Sequence, residues 1–116
     1  MALLVLLTAD LTVISRVEGA AARAGAKVRV VSSESQAVEC CAAESAECII
    51  IDLSLPSLDL KALVAQLTSA TPTAPRAIAF GPHVHEERLA AARDAGCNEV
   101  VSRGQFFAQL DTLLRH

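Results

Sequence analysis

Asp52 is the side chain best placed to do chemistry. It ends the run Cys48-Ile49-Ile50-Ile51-Asp52, and Leu53-Ser54-Leu55-Pro56 follows. Three consecutive isoleucines mark a strand buried on both faces, the habit of parallel sheets. In an open α/β sheet, functional groups sit at the carboxyl ends of the strands. A carboxylate there can accept hydrogen bonds, pair with a cation, or contribute an oxygen to a hard metal ion.

The other candidates are weaker. Asp10 follows the first apolar run and reads as the N-cap of the first helix, with a surrogate Mg²⁺ ligand as the alternative. His83 and His85 bracket Val84. At this spacing near a helix start their rings splay apart, and no third ligand accompanies them, so they read as solvated polar residues rather than a transition-metal site. Cys40 and Cys41 are adjacent, and Cys48 and Cys97 lie apart with no CxxC spacing. Nothing near the Cys40–Cys41 pair lowers its pKa, so all four read as reduced packing residues. No Gly-rich phosphate loop, nucleophile elbow or paired catalytic carboxylates occur, and the chain does not read as an enzyme.

These residues must be positioned by one domain, since 116 residues make one core. The chain is 53% hydrophobic but 3% aromatic, so Leu, Val, Ile and Ala build that core. A net charge of −3, with both signs scattered, offers no footprint for nucleic acid or an anionic membrane. No apolar run is long enough to span a bilayer. The N-terminal run up to Leu7 lacks a basic flank and meets Asp10 directly, so it reads as a strand and not a signal peptide. A cytoplasmic location is the expectation.

The elements follow from periodicity. Leu3 to Leu7 is a buried strand. Val13, Val17, Ala20, Ala21 and Ala24 recur at helical spacing, with Gly25 as the C′ residue. Lys27 to Val31 alternates like an edge strand. Ser33 and Gln36 resemble a capping box before a helix reaching Ala43. After Pro56, Ser57 is expected to cap a helix whose face is Leu60, Leu63, Val64 and Leu67. Ala77 to Phe80 is the fourth strand, a helix runs from about Val84 to Ala95, and Glu99 to Val101 is the fifth strand. One last helix buries Phe106 or Phe107 with Leu110, Leu113 and Leu114. The other Phe is expected on the surface near Arg88 and Arg93. Strict alternation predicts a three-layer α/β/α, (βα)₅ doubly wound parallel sheet with right-handed crossovers.

With these residues in place, the whole chain resembles the receiver domain of bacterial two-component response regulators, the CheY-like, flavodoxin-type fold with strand order 2-1-3-4-5. The segment Ile51-Asp52-Leu53-Ser54-Leu55-Pro56-Ser57-Leu58-Asp59 is similar to the phosphoacceptor segment of that family. Ala91-Ala92-Arg93-Asp94-Ala95-Gly96-Cys97 is similar to its A-x-x-A-G-A stretch. The resemblance implies that Asp52 is the phosphoacceptor-like residue. It further implies an acidic pair holding Mg²⁺ after the first strand, a Thr or Ser after the fourth, and a Lys after the fifth.

The sequence departs from that pattern at each supporting position. The acidic pair falls on Thr8 and Ala9, the hydroxyl position on Gly81, and the Lys position on Arg103, followed by Gly104 instead of Pro. The loop glycine of the family is Leu60. Acyl phosphate formation needs charge neutralised at the transferring oxygens, and Mg²⁺ wants several hard oxygen ligands. A lone carboxylate makes a poor Mg²⁺ site, with Asp10 and Asp52 the only candidates. The expectation is a degenerate receiver, or pseudo-receiver, with no cofactor, in which Asp52 is held by Arg103 or by local backbone N–H groups. It would act by protein contact with a histidine kinase, an output domain or a second copy through the last two helices. Two alternatives stand beside it: a conventional receiver phosphorylated on Asp52, and a small-molecule-binding flavodoxin-like domain using a cleft near Gly81-Pro82.

Overall fold

Alternate residues of each strand point to opposite sides of a sheet, so a strand apolar at every position needs cover on both. The computed structural model, which describes residues 2–115, supplies that cover. Five parallel strands, β1 (Leu3–Leu7), β2 (Lys27–Val31), β3 (Cys48–Asp52), β4 (Arg76–Gly81) and β5 (Glu99–Ser102), form one sheet in the order β2-β1-β3-β4-β5. The helices are α1 (Leu11–Arg23), α2 (Glu34–Glu44), α3 (Leu60–Ala70), α4 (Glu86–Asp94), α5 (Arg103–Ala108) and α6 (Leu110–Leu114).

Leu4, Leu6, Cys48, Ile50, Ile78 and Phe80 face α1, α5 and α6. Val5, Leu7, Ile49, Ile51, Ala77 and Ala79 face α2, α3 and α4. Every residue of β3 is buried, so it is the spine of both cores. Each of its isoleucines contributes about 1.5–3 kcal/mol relative to exposure. Phe80 stacks on Phe106 with ring centroids 4.2 Å apart, joining β4 to α5. The expected fold class and strand order are the ones observed, and β2 is an edge strand.

Local details differ from the sequence reading where capping and loop geometry decided them. Asp59, not Ser57, caps α3, its carboxylate accepting from the Ala62 amide. Ser57 instead takes a left-handed conformation, φ 60°, which redirects the loop. Ser33 does cap α2, accepting from the Gln36 amide. The Gln36 side chain, however, reaches Ser32 and not Ser33, so the box is not reciprocal. A reciprocal box forms instead at Ser102 and Gln105. Helix α4 starts two residues late, because His85 occupies its N-cap position. The last helix is two pieces broken at Gln109, whose φ −108°, ψ 10° leaves the helical region.

Phe106 is the buried phenylalanine. Phe107 is half-buried beneath two guanidinium groups, Arg16 at 4.9 Å and Arg103 at 5.1 Å from its ring centre. It therefore lies towards α1, and not beside Arg88 and Arg93 as the sequence suggested.

Candidate functional site

The sheet register brings the candidates to one edge. Leu7 pairs with Ile51, so Thr8 leaves β1 level with Asp52 at the end of β3. Asp52 pairs with Phe80, and Gly81 pairs with Ser102, so β4 and β5 deliver Gly81 and Arg103 beside them. Thr8, Asp52, Gly81 and Arg103 thus line one cluster of loops at the carboxyl edge of the sheet.

Asp52 is 3% exposed. Its Oδ2 accepts a 2.7 Å bond from the Thr8 hydroxyl, and its Oδ1 accepts a 2.9 Å bond from the Ser54 amide. The Thr8 oxygen in turn accepts the Asp10 amide at 3.1 Å. A buried carboxylate costs free energy unless its oxygens are satisfied, and these donors satisfy it without a cation. Arg103 is not among them. Its guanidinium donates to Asp10 Oδ2 at 2.7 Å, which corrects the expected Asp52–Arg103 pair.

The reason lies in the first helix. Asp10 is the N-cap of α1, and its Oδ1 accepts the Thr12 and Val13 amides at 2.8 and 3.3 Å. Capping leaves its second oxygen pointing outwards at the mouth of the loops, within reach of the long arginine. Stacking on Phe107 steadies the guanidinium there. Arg103 holds the Asp10 carboxyl below its usual pKa of 3.8, assisted by the two amides and opposed by partial burial. Asp10 is therefore both the cap that its position suggested and the partner of Arg103.

Gly81 is buried against Leu53. A Cβ added to Gly81 would lie 3.1 Å from Leu53 Cβ, so any side chain there requires Leu53 to give way by a few tenths of an ångström. Ala9 is exposed and carries no charge. The donor set does not fit Mg²⁺. Asp52 is engaged by a hydroxyl proton and an amide, and Asp10 by a guanidinium. No group of three or more His, Cys, Asp or Glu side chains converges among the described residues. A hard divalent ion needs several free oxygens, and this cluster presents donors where those oxygens would be.

The remaining candidates lie elsewhere. His83 and His85 are exposed on the loop before α4. All four cysteines are free. Burial pushes the Cys41 and Cys48 thiols up to about 11, and burial with the Glu44 carboxylate raises Cys40. A thiol is reactive as its thiolate, so these shifts oppose a redox sensor at Cys40–Cys41. An open groove of about 770 Å³ runs between α3 and α4 past Leu53, Leu58, Val64 and Arg88. It does not pass Gly81-Pro82, where the sequence placed a cleft.

Sequence reasoning missed the Thr8 hydroxyl as the main partner of Asp52, although the pairing of neighbouring strand ends could have suggested it. It also missed Arg88, whose guanidinium donates to the Leu53 carbonyl at 3.0 Å. No signal in the sequence pointed there.

No family model and no curated protein matches the sequence. Solved structures do match the fold. A receiver domain of a Pseudomonas aeruginosa sensor histidine kinase, solved with magnesium in its active-site cleft, superposes with a TM-score of 0.80 at 20% identity, covering 98% of this chain and 94% of that one. A CheY-like protein from the same organism gives 0.76 at 24% identity, over 99% and 98% of the two chains. The receiver domain of an HD-domain protein from Pseudomonas fluorescens gives 0.81 at 17% identity, over 98% and 84%. The chain has the CheY-like receiver fold, with its own set of side chains at the carboxyl edge.

Proposed function

We propose that this chain is a receiver-like signalling module that works by protein–protein contact and is not switched by phosphorylation of Asp52. One observation carries the proposal. The arginine that could neutralise a phosphoryl group is bound to Asp10 at 2.7 Å, while Asp52 is satisfied by two neutral donors.

The chemistry supports it. Phosphoryl transfer to a carboxylate brings negative charge onto negative charge, and catalysis consists of positioning plus positive charge at the transferring oxygens. Here Thr8 and Ala9 bring no charge, Gly81 brings no hydroxyl, and Leu53 packs tightly against Gly81. The chain acts as a binding module and not an enzyme, with a histidine kinase or an output domain as the class of partner. No helix among the described residues is long and apolar enough to cross a membrane. A cytoplasmic setting fits a partner of this kind.

The test is phosphorylation by a small phosphodonor such as acetyl phosphate with Mg²⁺, read on a phosphate-affinity gel. The expected result is no retarded band. A retarded band that disappears in Asp52→Asn would overturn the proposal and establish a conventional receiver.

A further inference from the structure

Leu53, the residue after Asp52, is held from three directions. Its amide donates to the Phe80 carbonyl at 2.8 Å, extending the β3–β4 ladder by one rung beyond Asp52. Its side chain, 4% exposed, lies against Gly81, at whose position even a Cβ would come within 3.1 Å. Its carbonyl accepts the Arg88 guanidinium at 3.0 Å. Arg88 lies in the first turn of α4, so the loop leaving the buried acid is tied directly to that helix. A Cβ at position 81 would press on Leu53, which would have to shift by a few tenths of an ångström. The tie spans the floor of the α3–α4 groove, which both Leu53 and Arg88 line.

We infer that Arg88, Leu53 and Gly81 form a lock that fixes the start of α4 to the loop after Asp52. Packing, not the state of the Asp52 carboxylate, then sets the arrangement of the α4 face. This deepens the phosphorylation-independent reading above and rests on it for its functional meaning. The lock itself is a statement about mechanical coupling. The hydrogen bonds of the Asp52 carboxylate go to Thr8 and Ser54, and neither of these residues touches α4 through a hydrogen bond. The only side-chain hydrogen bond from α4 to the β3–α3 loop among the described residues is that of Arg88.

Amide hydrogen exchange tests the lock on the full chain. The reporters are the Leu55 amide, bonded to the Asp52 carbonyl, and the Arg88 and Leu89 amides, bonded to the His85 carbonyl. Arg88→Ala removes an exposed side chain and leaves the core intact, so folding is retained. Exchange at Leu55 and Leu89 is expected to rise together by about tenfold, the equivalent of about 1.4 kcal/mol, the size of one hydrogen bond. Asp52→Asn should leave the Leu89 amide unchanged. Gly81→Ser, which displaces Leu53, should reproduce the Arg88→Ala pattern, and combining the two should add little further.

The lock is overturned if Arg88→Ala changes exchange in α4 without changing Leu55. It is equally overturned if Asp52→Asn loosens α4 as much as Arg88→Ala does. Neither result bears on whether Asp52 accepts a phosphoryl group, which the gel decides separately.

Discussion

The two aspartates at the carboxyl edge have opposite surroundings. Asp52 is buried and forms no ion pair among the described residues, whereas Asp10 has a side chain 34% exposed and is bound to Arg103. A site built to accept a phosphoryl group would reverse this, with positive charge gathered at the inner acid. Here charge compensation goes to the outer acid, where water already screens it and the pair contributes least. The inner acid is left to hydrogen bonds, which fix its geometry but supply no charge to a transferring group. The contrast shows that a carboxylate at a strand end can be a structural knot, holding the ends of β1 and β3 together through one hydroxyl.

The comparison breaks most readily at Thr8. Thr8→Val keeps the shape and removes the hydroxyl, leaving Asp52 Oδ2 buried without its 2.7 Å donor. Urea unfolding should show a loss of about 1–3 kcal/mol, the cost of an unsatisfied buried acceptor. A loss within error would mean that water or another donor replaces the hydroxyl.

Thr8→Asp sharpens the contrast from the other side. Two carboxylates then share a buried site, which should lower the melting temperature in metal-free buffer. Added Mg²⁺ should restore it, by about 1.4 kcal/mol at ten times the dissociation constant. The unmodified chain should show no Mg²⁺-dependent shift.

A smaller effect is expected at the outer acid. Asp10→Ala removes a cap and an ion pair together, and should lower the thermal midpoint by less than Thr8→Val. Asp10→Asn keeps a capping oxygen and should lower it less again. The pH dependence has a definite sign. The folded pKa of Asp10 lies below 3.8, so its contribution is complete above that value and is lost as pH falls through the folded pKa. Asp10→Asn should therefore flatten the stability slope below about pH 4 and leave the neutral range unchanged.

The smallest effect belongs to Arg103→Gln. It should lower the midpoint slightly at low salt and by less near 1 M, where salt weakens the partly exposed pair. A large, salt-independent loss would show that packing on Phe107, and not charge, is the main contribution of Arg103.

Much of this architecture could be read along the chain. The Ile49-Ile50-Ile51 run identified the central strand, and the observed β3 has the expected bounds, Cys48–Asp52. Gly25 and Gly96 closed their helices with φ 71° and 99°, as glycine after a helix often does. Asp10 was legible as a cap because its position before a helical pattern and its short carboxylate are both local facts. The partner of Arg103 was not legible. A long, forked arginine side chain at the end of one strand can reach either of two acids, and the choice depends on which oxygens helix capping has already used. Ser57 and Asp59 were confused for a similar reason, since both are good caps and the left-handed turn at Ser57 decided between them.

The sequence by itself determined the order of strands and helices, the buried acid at the end of β3, and the neutral residues where charge would be needed. Periodicity and residue type encode burial and charge, and both are properties of single positions. Only the tertiary structure decided that Thr8 holds Asp52, that Arg103 holds Asp10, and that Arg88 reaches Leu53. Those choices are made between elements distant in the chain, at separations near 3 Å. At that range, the exit angle of a loop outweighs the chemical preference of any single side chain.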